Sequence, residues 1–155
     1  KQIFLVNLRK TLLVDLLYLK IIIGDKRNDV TKIKAKHKVI AIEAENFNIL
    51  RFIDKDLVLN IASFQEMDLV VIKNYFKFLY TQKNKSFYFY LCNREEKLLP
   101  DGSLIRFKDY PFKTKDSLII DELCPWHQDF YTFRPPFKRL YDGPTRHQLR
   151  IVNNK

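Results

Sequence analysis

The side chains in this sequence able to do chemistry are few: three histidines, two cysteines and a short run of acids. Cys124, Pro125, Trp126 and His127 set a thiol and an imidazole three positions apart. Such a pair could serve as a Cys–His nucleophile, but only with spatial contact and a third group to orient the base. It could also be half of a zinc site, yet no second ligand pair stands at metal-binding spacing. A structural aromatic turn is therefore expected. Asp121, Glu122 and Asp129 crowd the same stretch. Paired carboxylates do acid–base work when space holds them at the right separation. Here a solvated acidic loop, or internal partners for nearby arginines, is expected instead. His37 stands among lysines and reads as a strand residue near a basic surface. No catalytic residue, metal ligand, cofactor or small-molecule substrate follows from these residues, and no enzymatic activity is expected.

The rest of the composition points to charge. Lysine and arginine number 28 against 18 acids, a net charge of +10, so a polyanion is the first partner to consider. The length of 155 residues suits about one ordinary domain, and 46% apolar residues are too many for a disordered chain. Three glycines are too few for a P-loop or a dinucleotide fingerprint. Two cysteines exclude a disulfide scaffold. The longest apolar stretch, residues 11–24, is broken by Asp15 and Lys20 and is too short to span a bilayer. No small-residue cleavage site follows it, so no signal peptide is expected. Phe, Tyr, Met, Ile, Asn and Lys number 66, against 22 for Gly, Ala, Arg and Pro. The first group has A/T-rich codons, which suggests an A/T-rich genome such as an organelle's.

Two segments carry the positive charge in a pattern. Lys32, Lys34, Lys36 and Lys38 alternate with Ile33, Ala35, His37 and Val39, the period of a strand. On one face of a strand such lysines stand about 7 Å apart, comparable to the phosphate spacing of a nucleic-acid backbone. The plainer reading is an edge strand guarded by lysines. Residues 134–155 carry Arg134, Lys138, Arg139, Arg146, Arg150 and Lys155 against the single acid Asp142, with Phe137, Tyr141 and His147 interleaved. Arginine makes bidentate phosphate contacts and aromatic rings stack on unpaired bases. The expected RNA-binding residues are Lys32, Lys34, Lys36, Lys38, Arg134, Lys138, Arg139, Arg146, His147 and Arg150.

The elements that must position these residues follow from periodicity. Leu12, Leu13, Leu16, Leu17 and Ile21 fit a helix stopped at Gly24. Residues 31–43 read as a strand. Phe47, Leu50, Ile53, Leu57 and Ile61 predict a helix over residues 46–61. Ser63 and Glu66 form a capping box for a helix over residues 64–80, with Phe76 and Leu79 on its core side. Residues 86–92 are a run of strand formers. The turn at residues 100–102 should return residues 104–107 as its hairpin partner. A short strand follows at residues 117–120. Pro125, Pro135, Pro136 and Pro144 leave little room for regular structure beyond that, so residues 134–155 are expected to run as an extended arm. The opposing possibility is that Leu149, Ile151 and Val152 form a strand of the central sheet.

The expected fold is α+β, with two or three helices packed on a small, mainly antiparallel sheet. Residues 1–123 would be the body and 124–155 a basic, proline-containing extension. A small, basic, mixed chain with such an extension and an A/T-driven composition resembles an organellar ribosomal protein. Leu99-Pro100, Arg134-Pro135-Pro136 and Thr145-Arg146-His147-Gln148-Leu149 fall in the order of similar segments in small-subunit ribosomal protein S ten. The gap between the first two is much longer than in that family, and its Ser-Pro-His is absent. The resemblance implies a structural constituent of a mitochondrial ribosome. It would sit in the matrix and bind rRNA and neighbouring ribosomal proteins, without a membrane span. The alternative is a matrix-side accessory subunit of a respiratory complex, using residues 12–23 as a partner-binding helix.

Overall fold

The structure, a computed structural model, describes residues 2–23, 39–81, 86–141 and 143–153. They fall into two compact units, Lys1–Phe52 and Ile53–Lys155. Chain division therefore lies far from the boundary expected after residue 123. The fold class is α+β: α-helices combined with several small sheets of mostly antiparallel strands.

In the first unit, β1 (Ile3–Asn7) pairs in parallel with β2 (Val39–Glu43), Ile3 opposite Val39 and Asn7 opposite Glu43. Parallel neighbours need a crossover, and α1 (Arg9–Ile23) lies within it. The strand-to-helix turn is made by Asn7. Its Oδ1 accepts from the Leu8 amide at 2.9 Å and its Nδ2 donates to Asp15 Oδ2 at 2.9 Å. Ile40, Ala41 and Ile42 are buried, as is Leu12 on the helix. The opposite arc of α1 is apolar and exposed: Leu13, Val14, Leu17, Tyr18, Ile21 and Ile22. Of the strand expected over residues 31–43, β2 is the described part. Lys32, Lys34, Lys36 and Lys38 lie outside the described residues.

The helix expected over residues 46–61 is not formed. A 3-10 segment covers Ala44–Phe52 and is followed by β3 (Leu57–Ile61). Leu57 and Ile61 fit a helical stripe, but with Leu59 they also alternate as a strand does, and pairing with a neighbouring strand decides the matter. That neighbour is β4 (Phe87–Arg94), parallel to β3 with Leu57 opposite Tyr88 and Ile61 opposite Cys92. The crossover between them is α2 (Leu69–Tyr80). It starts later than expected. Ser63 makes no side-chain cap, residues Phe64–Glu66 form only a 3-10 turn, and Asp68, at the N-cap position of the helix, makes no side-chain cap either.

The face of α2 that meets the sheet is aromatic. Phe76, with Ile72 and Leu79, is buried, and its ring lies 5.7 Å from Phe89 of β4 and 5.1 Å from Phe112. Phe64 and Tyr110 complete the cluster. A buried polar link fixes the register beside it. Asn93 Nδ2 donates to Asn60 Oδ1 at 3.0 Å, and Gln65 Oε1 accepts from the Arg94 amide at 2.7 Å. Buried polar groups satisfied in this way specify one arrangement of the core.

The chain then makes β5 (Glu96–Leu98) and β6 (Leu104–Arg106), a hairpin about the turn at residues 100–102. Gly102 supplies the left-handed position that turn requires, φ +86°. The partner of β6 is thus β5 and not the long strand β4. After β7 (Ser117–Leu123) come β8 (Asp129–Tyr131), β9 (Lys138–Leu140) and β10 (Thr145–Val152). The main sheet runs β3–β4–β10–β7. β10 is antiparallel to both neighbours, with His147 opposite Cys92 on one side and Glu122 on the other. The end of the expected arm is therefore a central strand. Val152 is 1% exposed, and eight consecutive residues pair with β4. Burial of that strand outweighs the prolines, which all lie outside it.

Candidate nucleic-acid interface

What remains of the basic tail as a free surface is the hairpin of β8 and β9. Asp129 stands opposite Leu140 and Tyr131 opposite Lys138. The prolines sit in the connection, where a missing N–H costs nothing, so the two short strands can still pair. Thr132 closes the loop: its amide donates to Phe137 O at 2.8 Å and its hydroxyl donates to Arg134 O at 2.6 Å. Arg139 Nη2 donates to Pro135 O at 3.3 Å. Lys138 reaches across to Asp129 at 2.9 Å, and that carboxylate raises the lysine above its usual value.

The hairpin is anchored at its base to the main sheet. Gln128 Nε2 donates to Cys124 O at 2.7 Å and to Thr145 O at 2.8 Å, while its Oε1 accepts from the Thr145 amide. Tyr141 packs against His127 at 5.1 Å and Phe130 at 5.2 Å, with the Arg94 guanidinium 5.3 Å from its ring. Away from this base the side chains face solvent. Phe133 is fully exposed, Tyr131 is 78% and Phe137 62% exposed, and Arg134, Lys138 and Arg139 are exposed among them. Three aromatic rings and three cations are thus exposed on one hairpin and its loop.

The other tail residues expected to meet RNA are used internally. Arg146 is held between Glu95 at 2.7 Å and Asp121 at 2.6 Å. Those hydrogen bonds raise the arginine further. Burial would raise the Asp121 carboxyl, but hydrogen bonds from Gln148 and Arg146 and the arginine charge draw it below its usual value. His147 is 3% exposed; Tyr90 Oη lies 3.0 Å from its Nδ1 and Glu122 Oε1 3.3 Å from its Nε2. Arg150 lies 3.9 Å over the Phe112 ring and donates to Gln148, and burial lowers it from its usual value. These three are corrections: strand pairing turns them towards acids and rings of the same unit. Of the three acids, Asp121 is the partner of Arg146, the internal role expected for it, while Glu122 faces His147 and Asp129 pairs with Lys138.

The Cys-Pro-Trp-His segment is a packed turn. Trp126 meets His147 edge-on at 5.3 Å, and Cys92 Sγ lies 3.9 Å from His127 Nδ1. Both thiols are buried. Burial, with a hydrogen bond to Cys124, pushes the Cys92 thiol up to about 12. Among the described residues no group of three or more His, Cys, Asp or Glu is placed to hold a metal ion. No helix among them is long and apolar enough to cross a membrane.

The sequence reading missed the hairpin as an element. Its signal was present: Phe130-Tyr131 and Arg139-Leu140 are strand-compatible residues flanking a Thr/Pro-rich connection. No known protein family matches the chain, and neither a curated protein nor a solved structure is similar to it.

Proposed function

We propose that this protein is a structural constituent of a mitochondrial ribosome, bound to rRNA and to neighbouring ribosomal proteins. The observation that carries the reading is the β8–β9 hairpin, on which Arg134, Lys138 and Arg139 are exposed together with Tyr131, Phe133 and Phe137. Cations for phosphate beside rings for bases are what an RNA contact requires. The net charge of +10, to which Lys32, Lys34, Lys36 and Lys38 contribute, favours the same partner. The exposed apolar arc of α1 suits a protein neighbour in the same particle. That arc also favours the second reading, an accessory subunit of a respiratory complex, in which α1 would dock on an apolar partner.

Sedimentation of an organelle lysate separates the two. A ribosomal constituent should travel with rRNA-containing particles and be released by nuclease or by high salt, because phosphate contacts weaken steeply as salt rises. Migration with a detergent-solubilised membrane complex, indifferent to nuclease and salt, would contradict the ribosomal reading and support the other.

A further inference from the structure

Duplex RNA would satisfy only half of the hairpin tip. An A-form helix stacks its base faces inside and offers phosphates and a shallow minor groove. It could meet the cations but would leave the fully exposed Phe133 ring in water. Unpaired nucleotides offer both a phosphate and a free base face within one residue's length. Arg134 follows Phe133 directly, and neither Arg134 nor Arg139 forms an ion pair among the described residues. Lys138, by contrast, is matched by Asp129.

We propose that the tip binds unpaired nucleotides of RNA: a base stacks on Phe133, and the adjoining phosphates are held by Arg134 and Arg139. This rests on the RNA-binding reading and narrows it to single strands. Tyr131 and Phe137, also exposed on the hairpin, offer further apolar surface for bases. The tip is already shaped for the task. The two bonds of Thr132 and the Arg139 bond to Pro135 fix the loop in the absence of RNA, so little ordering remains to be done on binding. A protein cleft could also take Phe133, but it would need acids placed for both arginines, whereas RNA carries a phosphate at every step.

The test titrates the full chain with a fluorescent single-stranded RNA of about a dozen nucleotides, and with the same strand annealed into a duplex. The single strand should bind more tightly. Phe133→Ala should weaken single-strand binding by about fivefold to a hundredfold and leave the salt dependence unchanged, with Phe133→Trp restoring affinity. Arg134→Ala should instead reduce the salt slope by about one unit. Circular dichroism should be the same for all variants, since these side chains are exposed. Equal affinity for both forms, with no effect of Phe133→Ala, would overturn the stacking proposal and leave general RNA binding standing. Binding to neither form at low salt would overturn both. Phe133→Ala that spares RNA binding but abolishes association with nuclease-treated ribosomal proteins would make the tip a protein contact and also overturn the proposal.

Discussion

Arg146 is basic in the sequence and matched in space. Two carboxylates hold it, at 2.6 and 2.7 Å, so its charge serves the fold. Arg146→Ala should lower stability by about 1 kcal/mol, the value of a partly exposed ion-pair network, and leave RNA affinity and its salt slope unchanged. The Asp121 carboxyl is drawn below its usual value in the folded state. A depressed carboxylate contributes stability above its unfolded pKa and loses it as pH falls through the folded one. The difference between wild type and Arg146→Ala in urea unfolding should therefore be full at neutral pH and shrink on acidification. Lys55 gives a slope of the same sign at alkaline pH, although there it is the charged form that the fold disfavours. Burial, partly offset by the Asp54 charge, lowers it to about 8, and its ammonium donates to Ile53 O at 2.9 Å. Between about 8 and its usual value of 10.5 the unfolded chain binds the extra proton, so stability rises with pH across that window. Lys55→Met should flatten that rise, as read from urea midpoints at several alkaline pH values. An unchanged slope would contradict the burial of Lys55.

Elements separate into those announced by their own residues and those made by partners. β4 and α2 were legible, because Phe87 to Tyr90 are all strand formers and Ile72, Phe76 and Leu79 share one helical stripe. β10 was harder to read. Four prolines lie between β7 and β10, and its alternation mixes Arg146, Gln148 and Arg150 on one face with His147, Leu149 and Ile151 on the other. Those polar residues are acceptable inside a sheet only because β7 supplies Asp121 and Glu122 and the aromatic core supplies Phe112, none of which adjacency in sequence discloses. The same holds for the candidate interface. That the tail was basic and aromatic was plain; which of its cations were already matched depended on strand pairing. Since β10 lies between β4 and β7, truncation after residue 141 should abolish cooperative unfolding of the second unit. The measurement is urea unfolding followed by tryptophan fluorescence of Trp126. A truncated chain with an unchanged transition would show that the central position of β10 is dispensable. In limited proteolysis of the intact protein, β10 should be protected to the same degree as β4.

At the scale of the whole molecule, a matched interior contrasts with an unmatched exterior. The second unit satisfies its buried polar groups almost throughout, Tyr110 Oη being the buried side-chain atom without a partner among the described residues. Its surface is less self-sufficient. Leu57, Leu59, Ile61 and Tyr88 are exposed along the sheet, and the hairpin holds three aromatic rings in solvent. In the first unit, the outer arc of α1 is apolar. On the proposed reading, these exposed apolar faces are where neighbours in the particle would dock. The net charge of +10 favours a polyanion among those neighbours, which is the proposal's RNA. The measurement that bears most directly on this is ultraviolet crosslinking of the intact particle, followed by mass spectrometry of the nucleotide-bearing peptides. Crosslinks should fall within residues 131–137, on Tyr131, Phe133 or Phe137. Crosslinks confined to other parts of the chain, or a purified particle that contains no RNA, would contradict the hairpin as the RNA contact.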